Sequence, residues 1–153
     1  MIRALLIFTL SLALTACSLG QRETLLHLTL VASEDQNPDV NQRPSPMIIK
    51  LVEMTSASAF TNGDFFALYG ATAETLGPDF IVSETLAVRP GETVDLYLKL
   101  KPGSKYVGVV AAYRQLHGDN WRYVLPLVPG KSHTVELGLT REQLVRITVD
   151  KEK

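Results

Sequence analysis

A single cysteine, Cys17, stands in the whole chain, which excludes an internal disulfide framework and any metal site built from several thiolates. The three histidines, His27, His117 and His133, are far apart in the sequence. None belongs to an HExxH, a paired Cys/His or an EF-hand pattern, so no metal ligand set is readable. A G-x-S-x-G elbow and a glycine-rich phosphate loop are also lacking. Carboxylates that are near in sequence, Glu53 with Asp64 and Asp79 with Glu84, carry no mark of an acid/base couple. No catalytic residue is assigned, and neither a cofactor nor a small-molecule substrate is expected. A formal net charge of −1 gives no basic footprint for nucleic acid. Internal repeats, low-complexity tracts and long charge runs are missing too. With 46% apolar and 20% charged residues the chain reads as folded rather than disordered, and 153 residues suffice for one core but not two.

The sequence begins with an export signal. Arg3 supplies a positive start, and the run from Ala4 to Leu14 is apolar but too short to span a bilayer. Leu14-Thr15-Ala16-Cys17 then resembles the bacterial lipobox: an aliphatic residue, two small residues and a cysteine. The chemistry accounts for the pattern, because the thiol accepts diacylglycerol and the peptidase needs small side chains at its subsites. Residues 1–16 are therefore expected to be a cleaved lipoprotein signal peptide. Cys17 is the expected lipid attachment point, carrying N-acyl and S-diacylglycerol groups that anchor the protein to a membrane. Ser18, where an Asp would retain a lipoprotein in the inner membrane of enteric bacteria, favours the outer membrane. Residues 17–23 form the lipidated N-terminus and a short tether. Its six residues from Ser18 to Glu23 reach at most about 20 Å when extended, so the domain rides close to the membrane.

Residues 24–153 read as one β-rich domain. Leu26, Leu28, Leu30 and Ala32 share one face of a first strand, with His27 and Thr29 on the other. A second strand spans about Met47 to Met54. Asp79 to Val88 and Thr93 to Leu100 are strands separated by a Pro90-Gly91 turn. In the latter, Val94, Leu96, Leu98 and Leu100 alternate with polar positions, as in a sheet with one wet face. Tyr106 to Tyr113 is apolar on both faces and is expected to be a central strand covered on both sides. Trp121–Val128, with Trp121 packed in the core, His133–Leu139 and Leu144–Val149 complete eight strands. The pattern predicts an all-β fold, a two-sheet antiparallel sandwich.

One stretch breaks the rhythm. Asp64 is a good N-cap for Phe65 to Tyr69 with Gly70 as the stop, and Thr72 can cap Ala73 to Leu76 before Gly77-Pro78. A small helical insertion is thus expected at about 56–77. Phe60, Phe65, Phe66, Leu68 and Tyr69 are expected to cap an open end of the core, with an aromatic ligand pocket as the alternative.

The long first loop, Ser33 to Pro46, exceeds what a hairpin needs. Three prolines stiffen it. On a rigid sandwich such a loop either binds something or is merely tolerated. Residues Glu34 to Arg43 are polar, with no obvious core side chain, so shortening them is expected to cost the fold little.

Several fragments together closely resemble one family. They are Leu28 to Ser33, Asn37-Pro38-Asp39, Arg43-Pro44-Ser45-Pro46, Phe60, Asp64 to Tyr69, Thr75 to Asp79, Pro90-Gly91, Tyr106 to Arg114 and Trp121-Arg122. In this order and spacing they resemble the outer-membrane lipoproteins of type VI secretion systems, the TssJ family. The resemblance implies a transthyretin-like β-sandwich with an added helical segment, lipid-anchored in the outer membrane of a Gram-negative bacterium and facing the periplasm. It implies tethering without catalysis. The implied partner is the periplasmic C-terminal domain of the inner-membrane protein TssM, in a complex that also involves TssL. It also implies that the first loop contacts the partner, through Glu34, Asp35, Gln36, Asn37, Pro38, Asp39, Val40, Asn41, Gln42 and Arg43. Of these, Asn37, Asp39 and Arg43 are the expected anchors. The alternatives are a pilotin-like assembly lipoprotein of another secretion machine and a periplasmic ligand-binding domain.

Overall fold

The computed structural model describes residues 22–147. The signal segment, Cys17, Ser18 and the final residues of the last expected strand lie outside the described residues. Eight strands form: β1 (Leu25–Ala32), β2 (Met47–Met54), β3 (Phe80–Val88), β4 (Thr93–Lys99), β5 (Tyr106–Ala111), β6 (Arg122–Pro126), β7 (Ser132–Leu139) and β8 (Leu144–Arg146). They build two four-stranded sheets, one ordered β4-β1-β7-β8 and the other β3-β2-β5-β6. Between the sheets the alternating apolar positions meet. Leu26, Leu28 and Leu30 of β1 are fully enclosed with Leu137 and Leu139 of β7, and so are Ile49 of β2 and Val107 and Val109 of β5. Burying each such side chain contributes about 1.5–3 kcal/mol.

The two-sheet sandwich matches the expectation with one departure. Five strand pairs are antiparallel, but β1 and β7 run parallel. The reason is topological. The chain leaves one sheet at the end of β6 and enters the other at β7, so β7 sets out from the same end of the sandwich as β1.

The insertion departs from the sequence reading more. Three short helices, α1 (Ser58–Asn62), α2 (Phe65–Gly70) and α3 (Thr72–Leu76), follow β2. Asp64 caps α2 as expected, accepting from the Ala67 amide at 3.0 Å. Thr72 does not cap α3: it lies inside the helix and donates its hydroxyl to the Leu68 carbonyl at 2.6 Å. Nor do the helices close an end of the core; they form a third layer on the outer face of the β3-β2-β5-β6 sheet. Val52 and Met54 of β2 and Val110 of β5 face outward on that sheet, yet are fully buried beneath the helices. Phe60 and Leu68 are buried in this layer, whereas Phe66 is exposed.

Two cations fasten the layer. Half-buried Lys50 donates to the Tyr69 carbonyl and to Thr72 Oγ1, and its ammonium lies 5.1 Å from the centre of the Tyr69 ring. Arg122 donates to the Phe60 and Gly63 carbonyls at 3.0 and 2.7 Å, satisfying acceptors that the end of α1 leaves open. Trp121 joins the same cluster, edge-on to Phe65 at 5.3 Å and bonded through Nε1 to the Gly118 carbonyl.

Gly108 is where this layer comes closest to the sheet. A Cβ there would lie 2.5 Å from the Phe60 ring and 2.7 Å from Met54 Cε. Gly108→Val is therefore expected to cost about 3 kcal/mol by overpacking. The melting temperature should fall by roughly 10 °C. An unchanged melt in circular dichroism would contradict this packing of α1.

Candidate functional site

The ends of β1 lie at opposite ends of the sandwich. Its start is held by the β4–β5 and β6–β7 turns: the Leu25 amide donates to the Lys131 carbonyl at 3.1 Å, and the Leu100 amide to the Thr24 carbonyl at 3.0 Å. Its end meets the β3–β4 and β7–β8 turns, through Ala32 to the Glu92 carbonyl and Ser33 to the Leu139 carbonyl, both at 2.9 Å. Eight extended residues separate the two ends by about 26 Å.

At the far end the loop from Ser33 to Pro46 has a buried base and an exposed tip. Gln36 is fully buried, Asn37 is 4% exposed, and Pro38 and Ser45 are also buried. This corrects the expectation that the loop lends nothing to the core. The Gln36 amide donates to the Val88 carbonyl at 2.8 Å, tying the loop to the end of β3. Asn37 donates to the Pro46 carbonyl at 3.2 Å and accepts from the Arg114 amide at 2.8 Å, while its own amide donates to the Arg141 carbonyl at 3.0 Å. It does so with a φ of 47°, a left-handed conformation that asparagine tolerates better than most residues. Asn37 is thus a structural residue of the loop, with little surface left to offer a partner.

The tip is organised around Asp39. One carboxylate oxygen accepts the Asn41 and Arg43 amides at 2.8 and 2.9 Å, and the other accepts Arg43 Nε at 2.8 Å and meets Nη2 at 2.7 Å. Gln42 turns the chain with a φ of 64°. Arg141, from the β7–β8 turn, bonds Gln42 Oε1 and lies 3.8 Å from Asp35, lashing the tip to its neighbour. Tyr113 adds a bond to the Thr140 carbonyl at 3.2 Å behind the loop, and burial pushes its phenol pKa up. Asn41, Gln42, Arg43 and Pro44 remain exposed, and Val40 is 95% exposed. An apolar side chain held out on a rigid polar turn can enter a partner's pocket with little loss of entropy.

The hydrogen bonds from the Arg43 amide and side chain hold the Asp39 carboxyl below its ordinary value of 3.8. A lowered carboxylate pKa stabilises the folded tip above the unfolded value, and that contribution fades as pH falls through the lowered one. The tip should therefore stay ordered at pH 7 and loosen only in acid below the ordinary range. Nuclear magnetic resonance titration of the Asn41 and Arg43 amides checks this; a midpoint above 4 would contradict it.

Several other carboxylates, and His27, have structural partners. Glu53 accepts the Lys101 amide at 2.7 Å and the Ser104 hydroxyl at 2.5 Å, and Asp79 accepts the Thr55 hydroxyl at 2.6 Å. His27 stacks on Tyr97 with ring centres 4.2 Å apart and bonds Asp95 at 3.0 Å. The Thr29 and His27 bonds hold Asp95 below the usual carboxylate range. Among the described residues no group of three His, Cys, Asp or Glu is arranged to hold a metal, and no helix is long and apolar enough to cross a membrane. Sequence reasoning missed Arg114 and Arg141 as supports of the loop. The one available signal was Tyr113-Arg114, directly after the central strand.

Comparison with known proteins bears on this arrangement. The family described as Type VI secretion lipoprotein, VasD, EvfM, TssJ matches residues 24–143. No curated protein matches the sequence at a significant level. Among solved structures, the chain is similar to the type VI secretion lipoprotein TssJ1 from Pseudomonas aeruginosa, at 28% identity and a TM-score of 0.76, covering 83% of this chain and 98% of that one. Serratia marcescens Lip, a membrane-bound component of the type VI secretion system, is similar at 24% identity and a TM-score of 0.74, covering 81% and 97%. A chain in the structure of the type VI secretion protein TssM C-terminal domain from EAEC is similar at 22% identity and a TM-score of 0.70, covering 82% and 98%.

Proposed function

The chain belongs to the type VI secretion lipoprotein family, a family of structural components rather than enzymes, and from that premise we propose that it holds TssM to the outer membrane through the tip of its β1–β2 loop. In this reading residues 1–16 are removed, Cys17 carries the acyl chains, including palmitate, and residues 17–23 tether the domain that begins at residue 24. The domain faces the periplasm. There the loop meets the periplasmic C-terminal domain of TssM, an inner-membrane protein, in a complex that also contains TssL.

The observation that carries this reading is the opposite placement of the two ends of β1. The strand that leaves the tether runs about 26 Å before it delivers a stiffened, solvent-facing tip at the other end. An anchored domain built so presents its loop away from the leaflet, toward a partner that crosses the periplasm. Support also comes from a chain of the same fold in the solved structure of the TssM C-terminal domain from EAEC. Confinement at the membrane raises the effective concentration of the tip, so a modest intrinsic affinity suffices. The work is tethering. Binding of purified TssM periplasmic domain to the protein, with and without changes at Val40 and Arg43, tests the reading.

A further inference from the structure

The end of the sandwich nearest Cys17 differs in character from the loop end. Arg22, Lys101, Lys105 and Lys131 are exposed there, with Lys99 beside them in an ion pair with Glu23. The start of β1, the β4–β5 turn and the β6–β7 turn bring all but Lys105 around an open cleft of about 570 Å³. Lys105 follows Ser104 of the same β4–β5 turn. The carboxylates at this end are Glu23, Glu53 and Asp79, the last bonded to Thr55 just past the end of β2, with Glu84 farther along β3. Five cations against three carboxylates leave this end positive in a chain whose formal net charge is −1.

Apolar groups accompany the charge. Val128 and Leu25 are exposed at the same end, and Tyr97 is 78% exposed two residues from Lys99. Cations on long apolar stems, mixed with aliphatic side chains and a tyrosine, suit the boundary between phospholipid headgroups and acyl chains. Position selects the partner. Arg22 lies five residues beyond Cys17, a reach of at most about 18 Å. The anionic surface nearest to these cations is then the leaflet that holds the acyl chains.

We infer that this end is a headgroup-binding face, which rests on anionic phospholipid and sets β1 upright so that the loop points away from the membrane. The inference builds on the reading of Cys17 as the lipid anchor. The charges do what the acyl chains cannot: a flexible tether fixes distance, whereas several separated cations on a surface fix orientation.

The test uses the mature chain, residues 17–153, carrying Cys17→Ser so that no acyl group contributes. It should sediment with phosphatidylcholine vesicles that contain phosphatidylglycerol, be released by salt, and bind phosphatidylcholine alone weakly. The variant Lys101→Glu, Lys105→Glu, Lys131→Glu should bind the anionic vesicles less, by about fivefold per cation removed and on the order of a hundredfold in total. Its melting temperature should not change, because among the described residues none of the three lysines has an ion-pair partner. Equal binding to both vesicles, no binding, or an unaffected variant overturns the inference. Release by inorganic phosphate as effective as release by salt of far higher concentration also overturns it, since that marks a small-anion pocket. Palmitate labelling of the wild-type chain separates the two readings. Failed vesicle binding with labelling intact removes only the headgroup face, and failed labelling with vesicle binding intact removes only the anchor.

Discussion

With serine at position 17 the protein is expected to leave membranes washed in high salt, although its domain folds as before. The thiol is the only atom in the chain that can accept diacylglycerol, because Cys17 is the one cysteine. Each buried methylene contributes about 0.8 kcal/mol, so two or three acyl chains on Cys17 would hold the protein permanently and their loss would be an all-or-none change. The fold is indifferent to it, since the core is built from residue 26 onward. Cell fractionation, palmitate labelling and circular dichroism together check the expectation. Secretion should fail at the same time. Labelling that persists in the Cys17→Ser protein contradicts it.

Deleting Gln36 to Asn41 has an equally large effect of another kind: the domain should fail to fold stably. The deletion strips the Val88 carbonyl, the Arg114 amide and the Arg141 carbonyl of their partners. Each buried group left without a partner costs about 1–3 kcal/mol. Val88 is fully buried. Its loss of a partner, together with the two part-buried bonds and the removal of buried Gln36 and Asn37, takes a large share of the 5–15 kcal/mol or so that stabilises an ordinary domain. Asn37→Ala alone should cost about 3 kcal/mol and lower the melting temperature by roughly 10 °C. Substitutions confined to Val40, Asn41 or Arg43 should leave it nearly unchanged, because those side chains are exposed. Melting curves of the two sets decide the matter; a deletion protein that melts like the wild type contradicts the buried base.

This contrast shows where sequence reasoning held and where it stopped. Alternation of apolar residues located β1, β2 and β4 within a residue of their ends, because one side of each strand must be buried and a slip of one residue reverses every side chain. Asp64, Gly77 and the Pro90-Gly91 turn were readable because caps and turns depend on local hydrogen bonds. The burial of Gln36 and Asn37 was not. A polar loop residue looks solvated until partners 52 and 77 positions away arrive to bond it. The third layer was legible only in part: Val110 and Gly108 give β5 an apolar outer face, so cover on both sides was expected, but nothing local says that Phe60 supplies it. The parallel β1–β7 pair depends on which sheet the chain enters after β6, and alternation carries no such information. Of the candidate site, the loop's place between β1 and β2 was legible, and the division into buried base and exposed tip was not.

The central claim is that the tip of this loop holds TssM. Isothermal titration calorimetry of the purified periplasmic C-terminal domain of TssM against the mature protein tests it directly, with wild type compared to the double variant Val40→Asp, Arg43→Ala. Interfaces are dominated by a few anchors, and a charge placed on a buried apolar one is costly. Wild-type binding, a loss of at least about a hundredfold in the variant, and equal melting temperatures are expected. Unchanged affinity in a variant that melts like the wild type would contradict it, and would move the contact to another surface, with exposed Phe66 on the helical layer as the next residue to change.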